Sequence, residues 1–111
     1  MTLNAYQTAA LRTAKRDDPE KERLIEALMG LNGEAGEAID ILKKFLFQGH
    51  SLDREHMAKE LGDVLWYLAV SADAIGYSLD EIAGMNVEKL MARYPDGFEA
   101  ERSRGRDPKD I

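Results

Sequence analysis

The chain has 111 residues, 44% of them hydrophobic and 32% charged, with a net charge of -6 at pH 7. That size suits one domain with a core and a large solvated surface. The acidic balance argues against binding a nucleic-acid polymer, which needs a basic stripe, and no apolar run is long enough to cross a membrane. Cysteine is absent, so disulfides and thiolate metal sites are excluded. The expected compartment is the cytoplasm, and the polar opening reads as lacking a signal peptide.

Nearly everything in the chain reads as helix. Residues 3–15 place Leu3, Tyr6, Ala10, Leu11 and Ala14 at helical spacing. Asp17-Asp18-Pro19-Glu20 predicts a stop and a restart, with Asp18 as N-cap and Pro19 as first helical residue. A second helix is expected from Pro19 to Leu46 or Phe47, with a break near Gly30 to Gly33. Gln48-Gly49-His50-Ser51 forms the turn. Asp53 or Ser51 caps a third helix that runs to Ile75 and ends at Gly76. Ser78-Leu79-Asp80-Glu81 is a capping box for a fourth helix. That helix stops at Tyr94-Pro95, before a turn at Pro95-Asp96-Gly97. Residues 99–111 are charged, have few apolar side chains and are expected to be a flexible tail. The fold class expected is all-α: a four-helix-bundle-like domain over 1–98 with two long central helices.

Those two helices carry the chemistry. Glu34 and Glu37 form one i, i+3 acidic pair, and Glu60 and Asp63 form another. Residues three apart share a helix face, so two adjacent helices can aim four carboxylates at one small volume. Such a cluster repels itself unless a cation sits in it, and a hard divalent ion with oxygen ligands fits best, Mg²⁺ above all. Mn²⁺ suits the same donors. At roughly 100° per residue, Leu31, Ala35, Ala38, Leu42 and Phe45 form a stripe beside Glu34. Met57, Leu61, Val64, Leu68 and Ile75 form its equivalent beside Glu60. Tyr67 falls one turn beyond Glu60 and Asp63, where a ring could serve as a platform for a flat ligand. Gly33, Gly36 and Gly62 flank the acids and suggest close approach of a helix or ligand. Trp66, Val70 and Tyr77 form a second apolar face on the third helix, from which a homo-oligomer is expected, most simply a two-fold dimer.

The bland alternative for an acidic pair is a solvated face with basic partners. Neither Glu34 nor Glu60 nor Asp63 has Lys or Arg three or four residues on, and the second pair runs into an apolar segment. The metal site is therefore preferred. Asp53 with His56 reads as helix capping and surface, His50 as an ordinary loop residue, and Lys43-Lys44 as a solvated helix end. By spacing alone, Lys89, Arg93 and Tyr94 form an exposed face.

Glu34-Ala-Gly-Glu37, followed by Glu60-Leu-Gly-Asp63-Val-Leu-Trp-Tyr, resembles the ExxE…ExxD signature of the MazG-like all-α nucleoside triphosphate pyrophosphohydrolases. Asn86-Val-Glu-Lys89-Leu-Met-Ala-Arg93-Tyr94-Pro95 is similar to that family's N-x-x-K-L-x-x-R-Y-P segment. The opening Leu3-Asn4-x-Tyr6-Gln7 resembles small stand-alone members, so the likeness covers roughly residues 3–98. It implies a homodimer or homotetramer and Mg²⁺ held by Glu34, Glu37, Glu60 and Asp63. It implies hydrolysis of a nucleoside or deoxynucleoside triphosphate to monophosphate and pyrophosphate. It further implies phosphate contacts from Asn86, Lys89, Arg93 and Tyr94, with Tyr67 and Phe47 near the base or sugar. Competing readings are a related enzyme acting on phosphoribosyl-ATP and a non-catalytic helical regulatory module. A di-iron carboxylate protein is a third, disfavoured because Glu-x-x-His motifs are missing.

Overall fold

Thr2 opens the first helix, its hydroxyl accepting from the Ala5 amide at 3.0 Å. The computed structural model describes residues 1–111 and contains five helices and no strand. They are α1 (Leu3–Leu11), α2 (Glu20–Phe47), α3 (Arg54–Ala74), α4 (Leu79–Arg93) and α5 (Ala100–Arg104). The chain divides into two compact units, Met1–Leu79 and Asp80–Ile111.

In the first unit, α3 packs along α2 and against α1. Arg23 meets Asp73, Gly30 meets Tyr67, and Glu34 meets Glu60 and Asp63, so α2 and α3 run antiparallel. The expected break in α2 is absent, and the helix is continuous through Gly30 and Gly33. At Gly30 the reason is packing: a Cβ there would lie 2.2 Å from the Tyr67 ring. The missing side chain lets α3 approach, and the contact offsets the weak helix propensity of glycine. No other part of the chain comes within 4 Å of a Cβ built at Gly33, Gly36 or Gly62, so no helix of this chain makes the close approach there.

Other boundaries moved slightly. The N-cap position of α2 is Pro19 and not Asp18, whose carboxylate instead pairs with Lys15 at 3.4 Å. Asp53 caps α3, accepting from the His56 amide at 3.0 Å. Gly76, at φ +82°, lets the chain reverse so that the Tyr77 amide reaches the Ala72 carbonyl at 2.9 Å.

The core of this unit is small-residue-rich: Ala10, Ala27, Ala69, Ala72 and Ala74 with Ile41, Val70 and Leu79. Gln7 is buried among them. Its amide donates to the carbonyls of Ala69 (3.1 Å) and Tyr77 (3.3 Å) and accepts from the Leu79 amide (3.0 Å). Every buried polar group it meets is thereby satisfied. α1 packs over part of the Trp66 face from which a second copy was expected: Val70 is buried and Trp66 half-buried, while Tyr77 stays 40% exposed. The indole N–H donates to the Ala10 carbonyl at 3.1 Å and to the Thr13 hydroxyl at 3.0 Å. The apolar stripes beside the acids are covered only in part. Leu61, Leu68 and Ile75 remain 57%, 36% and 48% exposed, and Leu42 and Phe45 on α2 are 42% exposed each.

In the second unit, α4 ends at Arg93 and Gly97 (φ +96°) turns the chain. The segment expected to be a flexible tail carries α5. Beyond it, Asp110 grips Arg93 through two side-chain bonds of 2.8 and 3.1 Å.

Candidate functional site

The antiparallel pairing of α2 and α3 decides which acids meet. Glu34 comes from the middle of α2, and Glu60 and Asp63 come from adjacent turns of α3. One carboxylate oxygen from each lies within 4.8 Å of the others. Glu34 and Glu60 are half-buried and Asp63 is exposed, so the cluster opens to solvent on one side. Glu37 stands one turn along α2, outside this group of three. It lines a neighbouring groove of about 250 Å³ with Asp40, Ile41, Lys44, His50, Ser51, Asp53 and His56. Lys44 is held there by Asp40 at 3.1 Å.

The electrostatics of the three acids are those of a site short of positive charge. The Glu34 carboxyl is pushed above the usual carboxylate range. Its contact with Glu60 is the main cause, followed by desolvation and the charges of Asp63, Glu60 and Glu37. The Tyr6 hydroxyl is also pushed up, by burial and by the charge of Asp63. Glu60 has one oxygen, Oε1, at 3.2 Å from His56 Nε2, while Oε2 is buried and has no hydrogen-bond partner. A buried carboxylate oxygen without a donor is costly, and a cation among Glu34, Glu60 and Asp63 would satisfy it. The donor set is all oxygen, which suits Mg²⁺ or Mn²⁺ and offers no soft ligand.

Tyr67 is half-buried. Its ring rests on Gly30, meets Trp66 edge-on at 5.0 Å and helps to line a small cavity with Arg23, Glu26 and Ala27. Phe47 is 80% exposed at the end of α2. In the second unit Asn86 is exposed, while Lys89, Arg93 and Tyr94 are half-buried. Lys89 donates to the Ile111 carbonyl, and Arg93 also reaches the Asp110 carbonyl at 2.9 Å. Tyr94 packs on Phe98 with ring centroids 5.2 Å apart. Two contacts escaped the sequence reading. Tyr6 beside Asp63 needs the α1–α3 packing to be seen. His56 beside Glu60 is an i, i+4 pair, a contact that the expectation of capping and surface exposure leaves out.

The family model of the MazG nucleotide pyrophosphohydrolase domain matches residues 21–98, a span that includes all four acids and the segment from Asn86 to Pro95. The chain is 36% identical to the Gene 37 protein of Mycobacterium phage L5 over 101 residues, covering 84% of this chain and 89% of that protein. No solved structure matches it.

Proposed function

The chain belongs to the MazG nucleotide pyrophosphohydrolase family, and from that membership we propose a Mg²⁺-dependent enzyme. It hydrolyses a nucleoside or deoxynucleoside triphosphate to the monophosphate and pyrophosphate. The observation that carries this reading is the convergence of Glu34, Glu60 and Asp63 within 4.8 Å, with a buried Glu60 oxygen left without a donor.

In this reading Glu34, Glu60 and Asp63 hold the ion, and Glu37, one turn along α2, supplies a fourth carboxylate. Mg²⁺ bound there would neutralise phosphate oxygens and lower the pKa of a bound water. Water attacks the α-phosphorus, the bridging P–O bond to the β-phosphate breaks, and pyrophosphate leaves. The water proton passes to a carboxylate of the same group, Glu34 or Glu37. Asn86, Lys89, Arg93 and Tyr94 contact the phosphates, Lys89 as a point charge and Arg93 as a two-pronged donor. Lys89 and Arg93 already hold oxygen acceptors, at Ile111 and Asp110, and a phosphate reaching Arg93 has to displace Asp110. Self-association belongs to the same reading. The uncovered Leu61, Leu68 and Ile75 stripe is the face for a second copy, and two α2–α3 pairs would together build a four-helix core.

The test is pyrophosphate release across a panel of nucleoside triphosphates, with and without Mg²⁺. Mg²⁺-dependent pyrophosphate with a monophosphate product is expected. The Glu60→Gln variant should lose at least about 100-fold in kcat/KM while keeping its helical circular dichroism. Near-normal turnover by that variant would refute the ligand assignment.

A further inference from the structure

We propose that His56 is a positioning residue for Glu60, holding it in the orientation that the cation site requires. This rests on Glu34, Glu60 and Asp63 being that site.

An ionised carboxylate packed against two others is driven to rotate away from them. Glu60 is tethered from the far side. His56 lies one helical turn earlier, and its Nε2 is 3.2 Å from Glu60 Oε1. A carboxylate only accepts, so Nε2 carries the proton in this contact. The bond occupies Oε1 and leaves the buried Oε2 as the oxygen free to ligate. His56 is itself anchored, because Asp53 accepts from its backbone amide at 3.0 Å and fixes the first turn of α3.

The environments of the two partners differ in an informative way. The Glu60 side chain is 15% exposed and that of His56 is 55% exposed. Glu60 has far less access to water as an alternative donor than His56 has to water as an alternative partner. The contact therefore matters to Glu60 more than to His56. An imidazole N–H in this place orients Glu60 as donors to metal-binding carboxylates do.

Mn²⁺ binding, read by electron paramagnetic resonance of the free ion, tests this without relying on turnover. The full chain is compared as wild type, His56→Ala and His56→Gln, the last placing an amide N–H where Nε2 stood. His56→Ala should weaken Mn²⁺ binding about 10-fold, and His56→Gln should recover affinity to within about threefold of wild type. Metal-free thermal midpoints should be alike in all three, because His56 is largely exposed. Wild-type affinity in His56→Ala, or Gln binding no better than Ala, would overturn the positioning role alone. So would a matching fall in metal-free stability. Failure of the wild-type chain to bind Mn²⁺ at all would instead remove the carboxylate site, and the role of His56 with it.

Discussion

Asp73 shows how a single charged side chain is made to serve the fold. Burial pushes its carboxyl up, but hydrogen bonds from Arg23 and Arg16 more than offset this and hold it below the usual carboxylate range. Arg16 forks onto it with bonds of 3.0 and 2.9 Å, and Arg23 reaches it from α2. A carboxyl lowered on folding stabilises the native state fully above its unfolded pKa, about 3.9. That stability is lost as pH falls through the lower, folded value. The Asp73→Asn variant should therefore be less stable than wild type by about 2 kcal/mol at neutral pH, the scale of a hydrogen bond to a charged group. The deficit should shrink in strong acid. Urea denaturation at pH 7 and at pH 2 to 3 measures both, and a deficit that is constant with pH would show that Asp73 acts through shape and not charge. The raised carboxyl of Glu34 has the opposite origin. Its neighbours are other acids, an arrangement consistent with the cation site proposed above.

At the scale of elements, the α2–α3 pairing is set where side chains are smallest. Gly30 receives the Tyr67 ring, and the alanines along both helices let the backbones come close. Replacing Gly30 by Ala gains about 1 kcal/mol of helix propensity. It also drives a methyl group into a half-buried ring, and such overpacking costs about 1–3 kcal/mol. Gly30→Ala should thus be net destabilising, seen as a lower thermal midpoint. Combining it with Tyr67→Leu should recover most of the loss, because the ring is what the methyl group strikes. A stabilised Gly30→Ala would mean that the ring moves aside freely. The same pairing sets the register of Glu34 against Glu60 and Asp63, so a shift of α3 along α2 would also disperse the acids.

At the scale of the whole molecule, the first unit buries mainly small side chains, and no large side chain is fully buried. Leu61 and Leu68 on α3 and Ile75 at its C-terminal cap recur every seven residues and are left uncovered, with Leu42 and Phe45 exposed on α2. An apolar stripe of that length on a charged protein is the mark of an interaction face. If a second copy covers it, as proposed above, the Leu68→Glu variant should run at the monomer mass in light scattering where the wild type runs as an oligomer. It should also be less stable, because the stripe loses its partner. An unchanged mass would place the interface elsewhere.

Helix content and the identity of the acids were legible in the sequence, because both are local properties. Helical periodicity, caps and the i, i+3 spacing of Glu34, Glu37, Glu60 and Asp63 depend on residues within a turn or two of each other. What depends on a distant segment is not legible there. Gly30 stays helical because it packs against Tyr67 of α3, and Trp66 is half-buried because α1 packs on it. Only the tertiary structure could separate Glu34, Glu60 and Asp63 as a converged group from Glu37. Helix spacing says which side chains share a face, but the register between two helices decides which of them meet across it.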